Sequence, residues 1–199
     1  MGPLLVQVVL VTSLAAVPMT GEVTSLAGSM KCVEDPSGVL TFAEVSAEDF
    51  QIRLKPSEKD IPNFGFTDSV YWCLSEVKNQ TTNSQWVLEL GYPLLDYVDL
   101  YLRYVDGNVI KHSGGDMLPF SERYRPHRTI NFSAHLGSQE IVEIWFRVKT
   151  QSSMQLPVTV KSEVVFGDTA SKEGIGFGFI YGGLLLVAFF NLVLFISLR

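Results

Sequence analysis

Basic charge is scarce in this chain: 15 lysines and arginines stand against 21 aspartates and glutamates, a formal net charge of −6 over 199 residues. Nucleic acid is excluded as a partner on that ground, because gripping a phosphate backbone needs a basic surface that displaces counterions. Motifs that carry chemistry are missing as well. No His/Cys spacing suits a metal, and neither Gly-x-Ser-x-Gly nor a phosphate-cradling glycine loop occurs. Asp96 with Asp99, and Glu140 with Glu143, are close in sequence. A glycosidase, however, needs carboxyls about 5–9.5 Å apart across a cleft, one of them shielded enough to raise its pKa, and proximity in sequence supplies neither. The chain is therefore expected to be no enzyme and to carry no cofactor and no metal. Its two cysteines, Cys32 and Cys73, are too few for a disulfide framework. Whether they pair or stay as buried free thiols is open.

What the chain has in abundance is apolar sequence at its two ends. Leu4 to Val17 reads LLVQVVLVTSLAAV, too short for a helix to cross a hydrocarbon core of ~30 Å but suited to the apolar stretch of an export signal. Small residues at Ser25 and Ala27 place a cleavage after Ala27, although no lysine or arginine precedes Lys31. Ile175 to Leu198 has no formal charge; at about 1.5 Å per residue it extends ~36 Å, enough for a transmembrane helix with some tilt. Gly174, Gly178 and Gly182 recur every four residues and form a smooth stripe on that helix, while Asn191 falls on nearly the opposite side. Two such features call for company, either other transmembrane helices or a self-associated dimer. The expected organisation is a signal peptide over 1–27, a β-domain over 28–166, a juxtamembrane linker over 167–174 and a transmembrane helix over 175–198.

Between Leu40 and Phe166 the dominant signal has period two, the mark of half-buried strands. Val98, Leu100, Leu102 and Tyr104 alternate with Asp99, Tyr101 and Arg103; Val142, Ile144, Phe146 and Val148 alternate with Glu143, Trp145, Arg147 and Lys149. Trp86/Leu88/Leu90, Ile130/Phe132/Ala134 and Val158/Val160 repeat the pattern, with turn residues between the runs. Short antiparallel strands joined by loops of uneven length predict an all-β sandwich with jelly-roll or Greek-key crossings.

Six stretches carry a family resemblance: EDPSGVLTFAEV (34–45), NFGFTDSVYW (63–72), WVLELGYPLLDYVDLYL (86–102), GDMLPFSERYRPHR (115–128), WFRVKTQSSMQLPVTV (145–160) and IYGGLLLVAFFNLVLFISLR (180–199). In order and spacing they resemble the second type of extracellular sensory domain of bacterial seven-transmembrane receptors with diverse intracellular signalling modules. The resemblance implies a jelly-roll sandwich similar to carbohydrate-binding modules, outside the bacterial inner membrane and joined to a seven-helix bundle that leads to an output enzyme. This chain reaches only the first span, so a fragment or a need for further helices is expected. Leu74 and Ser75 depart from the family pattern.

The stretch at 115–128 concentrates cations in an acidic chain and is stiffened by Pro119 and Pro126. Asp116, Arg123, His127 and Arg128 offer acceptors and forked donors suited to sugar hydroxyls or a small anionic ligand, with Trp145 beside Arg147, and Tyr101 beside Arg103, as aromatic platforms. The plainer alternative is that the loop residues cap strand ends and pair with one another, and that Trp145 packs across its sheet. Two functions follow: a membrane-anchored sensory module for a carbohydrate-like ligand, or a structural ectodomain that docks a periplasmic protein. Asn79-Gln80-Thr81 and Asn131-Phe132-Ser133 are acceptor sequons that matter only in a glycosylating host.

Overall fold

The computed structural model describes residues 16–57 and 59–198. In chain order the strands are β1 (Val17–Met19), β2 (Val23–Ser25), β3 (Lys31–Asp35), β4 (Lys55–Pro56), β5 (Asn63–Phe66), β6 (Val70–Asn79) and β7 (Gln85–Leu90). They continue as β8 (Tyr97–Tyr104), β9 (Val109–Gly114), β10 (Ile130–His135), β11 (Ile141–Lys149), β12 (Ser153–Gln155) and β13 (Val158–Ser162). Two short helices, α1 (Phe42–Val45) and α2 (Glu48–Gln51), lie between β3 and β4, and a long helix, α3 (Glu163–Leu198), follows β13.

The larger sheet has the order β4-β3-β6-β11-β8-β9, with β1 parallel to the far end of β6; the smaller runs β10-β7-β13-β2, and β5 pairs with β12. Neighbours in space are mostly not neighbours in sequence. Such crossings exclude a simple meander and are compatible with a jelly roll. The alternating residues of β8 and β11 point between the sheets and meet Trp86, Leu88 and Leu90 of β7, Ile130 and Phe132 of β10, and Val158 and Val160 of β13. Each fully buried side chain of this kind contributes roughly 1.5–3 kcal/mol. Cys32 and Cys73 stand directly opposite each other in the β3–β6 register and form a disulfide within this core, which settles the question the sequence leaves open.

The outer face of the larger sheet is also covered. Segment 36–54, carrying α1 and α2, folds over it, and Val45 and Leu54 meet Trp72, Leu74 and Trp145 in a second apolar cluster. The segment is anchored at both ends of its first turn. Asp35 accepts hydrogen bonds from Ser37, Gly38 and Leu40; burial alone would raise its pKa, but these bonds outweigh it and hold the carboxyl below its ordinary value. Thr41 and Glu44 then close a capping box on α1.

Two expected boundaries move. Residues 17–27 do not precede the domain but belong to it: β1 lines β6, β2 edges the smaller sheet on β13, and Met19, Leu26 and Ala27 are buried. The first part of the expected signal, residues 1–15, lies outside the described residues. At the other end the sandwich gives way to helix at Glu163 rather than at 167, and the juxtamembrane segment 167–174 continues as part of α3 without a break into the apolar stretch. Its first twelve residues or so, ~18 Å of rod, therefore stand between sandwich and span.

Candidate functional site

The basic loop runs from the end of β9 to the start of β10. Gly115 turns the chain at φ +142, and a Cβ there would lie 2.1 Å from the carbonyl oxygen of Asp96, so only glycine fits. Asp116 follows, exposed, with its N–H donating to the Leu95 carbonyl at 2.7 Å. Arg123 turns inward: its Nη1 donates to the carbonyls of His127 and Arg128, and its guanidinium covers the Phe120 ring. The other cations reach the helix. Arg125 pairs with Glu163 at 2.7 Å, where the Tyr124 hydroxyl also donates, and Arg128 pairs with Glu173 at 2.9 Å, with His127 Nε2 3.5 Å from the same carboxylate. The His127 ring meets the buried Phe166 edge-on. The loop is thus a clamp that ties the sandwich to α3 at two points three helical turns apart.

Burial tends to raise the Glu163 pKa, but the Tyr124 and Arg125 donors prevail and hold it below the ordinary value of 4.5. A depressed pKa means that this contact contributes fully above pH 4.5 and is lost as pH falls through the lowered value. Exposed pairs of this kind are worth about 0–1 kcal/mol each. Arg125→Ala/Arg128→Ala is therefore expected to leave the melting temperature within a few degrees while the protection of amides across 116–128 against exchange falls; in the unaltered chain the same protection, relative to the intrinsic rate at each pH, should fall as the pH is taken below 4.5 and through the lowered Glu163 value. An unchanged exchange pattern in the variant would mean that the loop is held by something other than α3.

On the sheet, the expected platforms are already occupied. Trp145 is fully buried by segment 36–54 and donates from Nε1 to Glu143 at 2.8 Å. Tyr101 stacks on Phe42 with ring centroids 4.5 Å apart. Arg147 donates to the Gly38 carbonyl and lies over Trp72, and Arg103 holds Glu143 with two hydrogen bonds and Ser46 with a third. These residues secure the cover over the sheet and present no open ring face. Both sequon asparagines are buried as well: Asn79 donates to Asn83 and Leu136, and Asn131 to Arg125 and Thr129.

An open groove of about 520 Å³ lies elsewhere, at the β3–β4 edge of the larger sheet. Arg53, Lys55 and Lys59 line it together with Phe64 and Tyr71, whose rings stack 3.9 Å apart, and with Glu34 and the Cys32 end of the disulfide. Burial, and then the Glu34 carboxylate, push the Tyr71 hydroxyl above its ordinary value, so Tyr71 remains a neutral donor. Cations beside an aromatic pair can hold an anionic group and an apolar ring face together.

The family model described as 7TMR-DISM extracellular 2 matches residues 27–162. The chain belongs to this family. Comparison with curated proteins gives no match. In this 7TMR-DISM extracellular domain the matched region begins after β1 and β2, which the fold nevertheless places in its two sheets. Membership and the apolar helix together put the domain outside the cytoplasm of a membrane-associated sensory protein. On α3, Gly174 faces the clamp loop, Gly178 and Gly182 border a shallow groove with Ile175 and Phe179, and Asn191 donates to the Val187 carbonyl of its own helix at 2.8 Å.

Sequence reasoning groups Arg123, His127 and Arg128 in one loop but misses that Arg125 meets Glu163 and that His127 and Arg128 meet Glu173, because these carboxylates lie 38 to 46 positions away. It misses the groove altogether. The available signal was RLKPSEK, three cations within residues 53–59 of an acidic chain.

Proposed function

We propose that this domain is the ligand-binding input module of a receptor in the bacterial inner membrane, taking a carbohydrate-like ligand that bears an acidic group and passing its occupancy to α3. The clamp carries this reading: the loop of the sandwich grips, at Glu163 and Glu173, the same unbroken helix whose apolar part is long enough to cross a membrane. A shift of the loop moves that helix as a lever, without a flexible joint to absorb it. The ligand sits in the groove of Arg53, Lys55 and Lys59, with Phe64 and Tyr71 against its ring and no chemistry performed on it. Neighbouring helices receive the movement on the Gly178/Gly182 side.

Acidic and neutral oligosaccharides offered to the full chain in lipid nanodiscs test the site. Saturable binding of acidic sugars is expected, with Lys55→Ala and Lys59→Ala each weakening it about 10- to 100-fold, as one lost charged hydrogen bond of about 1.5–3 kcal/mol implies, and with melting nearly unchanged. Arg125→Ala/Arg128→Ala should leave the affinity intact. Absence of any saturable sugar binding, or binding indifferent to both lysines, overturns the groove assignment; capture of a periplasmic protein in its place supports the docking ectodomain.

A further inference from the structure

The tripeptide Ser-Leu-Ala occurs twice near the start of the chain, at Ser13-Leu14-Ala15 and at Ser25-Leu26-Ala27. Either copy places small residues at the two positions a leader peptidase reads, −3 and −1. The fold separates them. Cleavage after Ala27 would release β1 and β2, and the loss would be felt in three places. The edge of β6 at Val77–Asn79, which β1 covers beyond the end of β3, would be bared; β13 would lose its outer neighbour; and the core would lose Met19 and Leu26, both fully buried. Hydrogen bonds from Gln80 to the Met19 carbonyl, from Leu26 to Val158 and from Ser162 to the Glu22 carbonyl would go with them. The second copy is also poorly placed for processing, since Thr20, Gly21 and the charged Glu22 separate it from the apolar run.

We infer that a leader is removed by hydrolysis of the Ala15–Ala16 bond. Ser13 and Ala15 then take the −3 and −1 positions directly after the apolar run Leu4–Val11, and the mature chain begins at Ala16, one residue before β1. One water adds across the peptide bond, leaving a carboxylate on Ala15 and an α-ammonium on Ala16. Pro18 falls third after the cut, clear of the scissile bond. Every residue that the two sheets use is thereby retained.

The full chain with a carboxy-terminal tag, expressed in a bacterium and purified from membranes, tests the assignment by intact mass and amino-terminal sequencing. A mature terminus at Ala16 is expected. Ala15→Asp should leave at least tenfold more uncut precursor, whereas Ser25→Asp, at an exposed position of β2, should be processed as the parent is. A terminus at Gly28, an unprocessed parent chain, or a processing block from Ser25→Asp with none from Ala15→Asp would each overturn it. The readout is the terminus itself, so it does not depend on whether the groove binds a sugar.

Discussion

Trp145→Ala is expected to destabilise the domain by about 3–5 kcal/mol, as large-to-small changes at filled aromatic sites do, and to leave ligand affinity of the folded fraction unchanged. The ring sits between the larger sheet and segment 36–54, edge-on to Phe42 at 6.0 Å and beside Trp72, and its Nε1–H satisfies Glu143. Truncation opens a cavity and removes a donor from a carboxylate that also orders Arg103, which in turn holds Ser46 at the end of α1. For a domain of this size the change corresponds to a fall in Tm of roughly 6–20 °C. Trp145→Phe refills part of the cavity and loses only the hydrogen bond, so its fall should be clearly smaller. A variant that melts like the parent but no longer binds acidic sugars would restore Trp145 as a ligand platform and contradict its burial.

Loss of the Cys32–Cys73 disulfide is the second large effect. The bond closes a loop of 41 positions, and the chain-entropy account assigns such a loop about 4 kcal/mol, with measured values for native bridges near 2–4. Cys32→Ala/Cys73→Ala should therefore lower stability by about 2–4 kcal/mol while β3 and β6 remain paired. In the denatured parent chain thiol titration should find no free thiol until a reductant is added, and two afterwards. Two titratable thiols in unreduced protein isolated from the exported fraction would show that the pair is not joined. The core around the bridge is extensive, so the variant is expected to fold at 25 °C and to differ in the margin that remains.

How much could be read in advance differs by element, and the reason is the range over which each signal acts. Period-two alternation marked β8 and β11 residue by residue, because a strand with one core-facing side must alternate and the alternation is local. The apolar stretch from Ile175 needed only length and the absence of charge. Burial of Trp145 was not legible: period two shows that it points away from the main core, but not that a segment about a hundred residues earlier returns to cover that face. The same holds for the loop at 115–128, whose cations are plain in the sequence while their partners on α3 are chosen by how the helix leaves β13. Cleavage after Ala27 looked acceptable because peptidase signals are local, whereas the membership of β1 and β2 in the two sheets is set by partners such as Val77 and Val160. Composition and periodicity by themselves determined an acidic, all-β domain beside an apolar span, since those properties sum over neighbouring residues. Which cations face a ligand and which grip the helix, whether two cysteines meet, and where the domain begins were decided by tertiary structure, because each depends on contacts between segments that no local pattern encodes.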